Sequence, residues 1–171
     1  EPLDQNSIRE TAKLLRDKNV NAVAICFLHS YANSEHELSA RDILKELLPD
    51  VYVSVSSEIV PEYREFERLT TTVLNAFIGP TLDSYLSRLE RDISQRDSST
   101  RLFIMSSNGG MATVNRMRTM PVSTVLSGPA GGVIAGIDLA ETINLKNIIT
   151  CDMGGTSTDV CLIRDSESII T

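Results

Sequence analysis

The 171-residue sequence predicts a layered α/β protein, and three features carry that prediction. Residues 1–60 alternate helix and strand signals in the order αβαβ, the arrangement of sheets with helices packed on their faces. Within them Ala22, Val23, Ala24, Ile25, Cys26, Phe27 and Leu28 form a continuous apolar run, as expected of a strand covered on both sides. The last third returns to strand, helix and strand around two glycine-rich segments.

The elements follow in order. Asn6 or Ser7 is positioned to cap a helix whose apolar residues are Ile8, Ala12 and Leu15. After the 22–28 strand, Leu38, Ile43, Leu44 and Leu47 mark the inward face of a second helix that Pro49 and Asp50 end. Val51, Val53 and Val55 alternate with Tyr52 and Ser54, which reads as a further strand. A helical pair over 61–96 comes next. Tyr63, Phe66, Leu69 or Thr70, Val73 and Phe77 form its first stripe, Gly79-Pro80 breaks it, and Leu82, Tyr85, Leu86, Leu89 and Ile93 form its second. Polar residues 94–100 read as a surface connection between subdomains. Beyond them lie a strand at 102–105, a helix over 128–142 and a β-hairpin over 148–164.

Composition excludes several function classes. A net charge of −7 opposes binding to nucleic-acid phosphates, which calls for clustered Lys and Arg. No run of about eighteen apolar residues exists, so no membrane-spanning helix is expected. The three cysteines, Cys26, Cys151 and Cys161, lie in apolar strand-like stretches without a C-x-x-C pair. They read as buried thiols in a reducing compartment, which makes the cytoplasm the expected location. The chain opens at Glu1 and stops at Ser168-Ile169-Ile170-Thr171 as a new β-rich run begins, both features expected of a piece of a longer protein.

Chemistry concentrates in Asp152-Met153-Gly154-Gly155-Thr156-Ser157-Thr158-Asp159. Glycines permit close backbone approach to a ligand, successive amides in such a turn converge on an anion, and Thr156, Ser157 and Thr158 add hydroxyl donors. Asp152 and Asp159 flank the loop, where carboxylates beside phosphates serve Mg²⁺ through its waters or orient an attacking group. The motif by itself also fits a tight hairpin with no ligand. Upstream, Gly128, Gly132, Gly136 and Ala140 fall four apart on one helical face after Ser127, a fitting N-cap, and Pro129. Interior glycine costs roughly 0.5–1 kcal/mol relative to alanine, so the stripe predicts a close approach, most simply by another helix backbone.

A small-residue helix feeding a strand that ends in D-x-G-G-T-x-x-D resembles the actin, chaperone-ATPase and sugar-kinase superfamily. Four segments narrow the resemblance to the hydantoinase A / 5-oxoprolinase family. They are Ser107-Asn108-Gly109-Gly110, Pro121-Val122-Ser123-Thr124, Ser127-Gly128-Pro129-Ala130-Gly131-Gly132-Val133 and the 152–160 loop, in that order. Residues 57–68 and 70–76, together with His29-Ser30-Tyr31 and His36-Glu37, resemble the family's pattern too.

The resemblance implies a ribonuclease H-like, actin-like ATPase fold, a layered mixed sheet flanked by helices. Residues 1–60 would end the N-terminal hydantoinase/oxoprolinase region, and 61–171 would begin the central one, with 128–142 as a connecting helix and 148–164 as the second phosphate hairpin. It implies ATP and Mg²⁺, a cyclic amide or imide substrate such as a hydantoin or 5-oxoproline opened through phosphorylation of its carbonyl oxygen, and a hydantoinase B-type partner subunit. Asp152 would be catalytic; Gly154, Gly155, Thr156, Ser157, Thr158 and Asp159 would bind the nucleotide; Asp152 and Asp159 would serve Mg²⁺ through water. Asn108, Gly109 and Gly110 are candidates for substrate or interdomain contact. A subunit of a ketone carboxylase, a small-molecule kinase and a nucleotide-switched interaction module are the competing readings. The first D-x-G-G-T loop of the family is absent here, so the segment by itself is expected to be inactive.

Two other groups of residues stand out. His29 and His36 lack a third metal ligand and read as capping or loop residues, with a substrate role open. Arg64, Glu67, Arg68 and Thr71 share neighbouring helical turns and read as an exposed ion-pair face. No G-x-S-x-G element supports a nucleophilic hydrolase.

Overall fold

The computed structural model describes residues 2–165 and 167–168. They divide into two compact units, one within Glu1–Thr100 and Arg118–Val122, the other within Arg101–Met117 and Ser123–Thr171.

The first unit opens with α1 (Gln5–Asp17), β1 (Ala22–Ile25), α2 (Glu35–Leu47) and β2 (Tyr52–Val55), the predicted αβαβ order. Asp4 caps α1 in place of Asn6 or Ser7, because its carboxylate accepts the amides of both, at 3.0 and 3.3 Å. β1 and β2 pair in parallel, from Ala22 opposite Tyr52 to Ile25 opposite Val55. That pairing needs a crossover, and α2 supplies it. Ala12, Ile25, Ala40, Leu44, Leu48 and Val55 form the core between helices and strands. Ser54 departs from the expected in–out alternation of β2: it is 2% exposed, and its hydroxyl accepts from Asn75 Nδ2 at 2.9 Å.

After the short α3 (Ser56–Ile59), a single helix α4 (Glu65–Arg96) replaces the predicted pair. Pro80 removes one backbone bond without ending the helix, and Gly79 serves a different purpose from a stop signal. A Cβ at Gly79 would lie 2.4 Å from the Tyr52 ring. That ring is fixed by its hydroxyl, which donates to the Arg118 carbonyl at 2.5 Å. Glycine therefore lets α4 touch β2.

The face of α4 that turns inward is also unlike the expectation. Phe66, Leu69, Val73 and Phe77 are 47–79% exposed, whereas Arg68, Thr72 and Asn75 are fully buried. The surface that α4 meets presents polar groups that need partners. Arg68 Nη2 donates to the Phe27 carbonyl at 2.7 Å, Asn75 Nδ2 to Ser54 Oγ, and the Val122 amide to Asn75 Oδ1 at 3.0 Å. Arg118 adds ion pairs to Asp83 at 2.7 Å and Glu90 at 2.8 Å, both on α4.

The second unit contains the antiparallel pair β3 (Phe103–Met105) and β4 (Met111–Thr113), then α6 (Ser127–Thr142) and an antiparallel sheet of β5 (Ile148–Met153), β6 (Thr158–Arg164) and β7 (Glu167–Ser168). Between β4 and α6 the chain forms α5 (Val114–Thr119) and a 3₁₀ turn (Pro121–Thr124). Residues 169–171 of the predicted final β-rich run lie outside the described residues. Cys151 is exposed and Cys26 and Cys161 are half-buried, rather than all three buried; Cys151 lies on the outward face of β5. Among the described residues no helix is long and apolar enough to cross a membrane.

Candidate functional site

The loop Gly154 to Ser157 closes β5 onto β6, with the Gly154 amide donating to the Ser157 carbonyl at 2.9 Å. Thr158, expected in the loop, is the first residue of β6 and pairs with Met153. Asp152 stands directly opposite Asp159, so the two carboxylates share one face of the ladder. Residues 152–159 are all exposed. Like charges opposed in this way repel, and neither carboxylate has an ion-pair or hydrogen-bond partner among the described residues.

Two adjacent carboxylates suit a hard divalent cation, which takes oxygen ligands and keeps several waters when it is Mg²⁺. Among the described residues no cluster of three or more His, Cys, Asp and Glu side chains is placed to hold a metal. The pair therefore fits a cation whose remaining ligands are water and phosphate oxygens.

The loop glycines are not explained by the hairpin itself. Gly109 is the one glycine with positive φ among the described residues, so neither Gly154 nor Gly155 adopts the left-handed conformation that favours glycine. A Cβ at Gly155 would meet nothing within 4 Å, and one at Gly154 would make an ordinary 3.7 Å contact. What Gly155 supplies is open access to the backbone at the loop tip, whereas the Gly154 amide is already bonded to the Ser157 carbonyl.

α6 runs beside the hairpin and divides its small-residue stripe in two. A Cβ at Gly136 would lie 2.5 Å from Thr150 Cγ2 on β5, and Ala140 is 1% exposed, so the second half packs on the sheet instead of on another helix. Gly128 and Gly132 face open space. Leu126, in the left-handed region at φ 62°, occupies the N-cap position predicted for Ser127 and makes no side-chain cap.

Ser107-Asn108-Gly109-Gly110 joins β3 to β4, and its parts separate by role. Asn108 Oδ1 accepts the Gly110 amide at 3.0 Å, and the Ser106 amide donates to the Gly110 carbonyl at 2.7 Å. Gly109 has φ +80°, and a Cβ there would lie 2.9 Å from Ile134 of α6. Asn108, Gly109 and Gly110 thus build the turn. Ser107, held by its amide to the Ser123 carbonyl at 2.7 Å, borders a groove of about 700 Å³ that Gly132, Val133, Thr150, Asp152 and Asp159 also line.

In the first unit His29 adopts φ 56° and turns the loop, its carbonyl accepting the amides of Ala32 at 3.0 Å and Asn33 at 3.3 Å. His36 is an exposed residue of the first turn of α2. Glu37 and Arg68 are the buried charges that the sequence reading missed or placed outside. Glu37 Oε1 accepts the Phe27 amide at 2.7 Å and Ser56 Oγ at 2.6 Å, while Oε2 accepts the Ser57 amide at 2.9 Å. Burial pushes the Glu37 carboxyl up, but these hydrogen bonds outweigh it and hold the group below its ordinary value. Arg68 lies 5.8 Å from the Tyr31 ring centroid, which itself stacks edge-on with Tyr63. A charged residue amid the apolar period of α2 was the available signal for Glu37.

Sequence models of two regions match the chain. Hydantoinase/oxoprolinase covers residues 68–171, and the Hydantoinase/oxoprolinase N-terminal region covers residues 1–48. The chain belongs to the hydantoinase/oxoprolinase family.

Relatives within this hydantoinase/oxoprolinase family act on different compounds by name. The caprolactamase subunit alpha of Pseudomonas jessenii is 37% identical over 95% of this chain and 23% of its own length. The 5-oxoprolinase of Saccharomyces cerevisiae is 35% identical over 95% of this chain and 12% of its own. Among solved structures, nucleotide-free acetone carboxylase superimposes with a TM-score of 0.85 at 32% identity, over 97% of this chain and 24% of that one. The ATP-dependent caprolactamase from Pseudomonas jessenii also reaches 0.85, at 37% identity. These likenesses establish the α/β fold as that of hydantoinase-family enzymes, of which this chain spans about a quarter or less.

Proposed function

We propose that this chain contributes one phosphate-binding side of an ATP-dependent enzyme that opens a cyclic amide. The observation that carries the proposal is the hairpin. Its tip glycines are required by neither backbone conformation nor packing, and two unpartnered carboxylates stand opposed at its base. The relatives named caprolactamase and 5-oxoprolinase supply the reaction class.

An amide carbonyl is a weak electrophile, and ATP supplies a phosphoryl group that makes its oxygen part of a leaving group. The residues at hand bind and position. The Gly155 amide and the hydroxyls of Thr156 and Ser157 receive phosphate oxygens, while Gly154, whose amide donates to the Ser157 carbonyl, shapes the turn that presents them. Asp152 and Asp159 are the residues that would hold Mg²⁺ through its waters, and the ion would supply neutralisation of the phosphate charge. Thr158 and Asp159 fix the loop at its β6 end. Water then adds to the activated carbon, the ring C–N bond breaks as the nitrogen takes a proton, and a second water cleaves the resulting acyl phosphate to a carboxylate and inorganic phosphate. A second subunit of hydantoinase B type is the proposed partner, since relatives carry subunit designations. A ketone-carboxylase subunit is the second reading, favoured by the likeness to acetone carboxylase.

The test is Asp152→Ala in the full-length protein. Because Asp152 is exposed, thermal unfolding should stay unchanged, while ATP-coupled ring opening falls by about 10²–10³, the scale of losing one electrostatic stabiliser. Turnover equal to wild type would remove the assigned role. Acetone- and bicarbonate-dependent ATP consumption, without lactam opening, would favour the second reading.

A further inference from the structure

Among the described residues Arg68 is the largest fully buried side chain, and no acidic group pairs with it. Its Nη2 donates to the Phe27 carbonyl at 2.7 Å, while Nε and Nη1 have no hydrogen-bond acceptor. A buried arginine is ordinarily paired, because a charge held away from water without a partner is costly. The neighbouring acids are committed elsewhere. Glu67 pairs with Arg64 and Glu58 with Arg41, and both Glu37 oxygens accept backbone amides or the Ser56 hydroxyl. The Tyr31 ring, its centroid 5.8 Å from the guanidinium carbon, offsets part of the charge through its π face. Two N–H donors remain.

Their place in the fold is one where α/β structures hold ligands. β1 and β2 run parallel and end at Ile25 and Val55, Phe27 follows β1, and Arg68 stands one turn into α4. Ligand contacts in such folds gather outside the carboxyl ends of parallel strands. Arg64, at the N-cap of α4, makes no side-chain cap, so the helix start keeps its partial positive charge. Tyr31 is half-buried, and Tyr63, edge-on to it at 5.7 Å, is 70% exposed, so two rings lead from the guanidinium towards the surface.

The donors also select the anion. Nη2 uses one hydrogen on Phe27. Its other hydrogen forms a planar fork with the N–H of Nε or Nη1, the shape that matches the two oxygens of a carboxylate. A carboxylate carries one charge, which Arg68 neutralises. A phosphate dianion would leave one charge uncompensated in a buried site.

We propose that Arg68 anchors a second ligand site, which takes a small-molecule carboxylate beneath the Tyr31 and Tyr63 rings. Arg68 lies in the first unit, so this site stands whether or not the hairpin of the second unit binds nucleotide.

The test uses the full-length protein without nucleotide, titrated calorimetrically with sodium acetate and, at equal ionic strength, with sodium phosphate and sodium chloride. Expected are saturable binding of acetate, phosphate binding weaker by about tenfold or more, and no saturable binding of chloride. In Arg68→Lys the Kd for acetate should rise by about tenfold or more, because an ammonium group has no fork. If that variant does not fold, wild-type and Tyr63→Ala proteins are treated with phenylglyoxal and the Arg68 peptide is followed by mass. Loss of the exposed Tyr63 ring should speed modification of Arg68, and saturating acetate should slow it in both proteins. No saturable acetate binding, equal binding of phosphate or chloride, an unchanged Kd in Arg68→Lys, or modification of Arg68 that acetate does not slow would overturn the proposal. An acidic side chain from elsewhere in the full-length protein, seated on Arg68, would give the first of these results.

Discussion

Glu37 has no exposed surface, yet it sits on a helix that otherwise reads as a simple amphipath. Its carboxylate gathers the amides of Phe27 and Ser57 and the Ser56 hydroxyl, joining the end of β1, α2 and α3. Replacing it by Gln leaves one of these donors facing an NH₂ group, and we expect a loss of roughly 2–3 kcal/mol in urea unfolding at neutral pH. The sign of its pH dependence follows from the lowered carboxyl. A folded-state pKa below the ordinary 4.5 contributes stability above that value, lost as pH falls through the folded one. Melting temperature should therefore drop as the solution is acidified below about pH 4.5, and Glu37→Gln should flatten that limb. A variant that melts with the wild-type acid profile would remove Glu37 from this role. Tyr52, whose pKa burial pushes up to about 12, keeps its proton throughout and continues to donate to Arg118.

At the scale of elements, α6 makes opposite predictions for glycines on one stripe. Gly136→Ala places a methyl against Thr150 Cγ2, a β-branched side chain in a strand with little freedom to turn. It should destabilise by about 1–3 kcal/mol, as overpacking does. Gly128→Ala meets nothing and should stabilise by roughly 0.5–1 kcal/mol through helix propensity. Urea midpoints of the two variants moving in the same direction would contradict the packing described. In α4, Pro80→Ala restores a backbone donor within a continuous helix and should raise the urea midpoint, whereas a break at Pro80 would make it neutral.

At the scale of the molecule, apolar surface is the informative quantity. Phe66 and Phe77 on α4, and Ile149, Met153 and Val160 on the outward face of the hairpin, are each 65–79% exposed. Patches of this kind bind hydrophobic dyes. The segment expressed by itself should do so strongly, and Phe66→Ser with Phe77→Ser should reduce the signal without lowering its melting temperature. Unchanged dye binding would mean that these rings are covered in solution.

What could be read from the chain follows the range of each signal. The αβαβ order, the strand at β1 and the hairpin with Asp152 and Asp159 at its base depend on periodicity and turn chemistry within a few residues, so the sequence by itself determined them. Family membership was legible for the same reason, from motifs that survive as short strings. Tertiary structure alone decided that Arg68 and Asn75, instead of Phe66 and Phe77, turn inward on α4, because distant carbonyl and hydroxyl groups demanded partners there. It alone decided that Gly79 is a contact with Tyr52 and that Gly136 packs while Gly132 stays open. It alone gathered Ser107, Gly132 and the aspartate pair around one groove, since residues 107 and 159 are brought together by packing and by nothing in the intervening sequence.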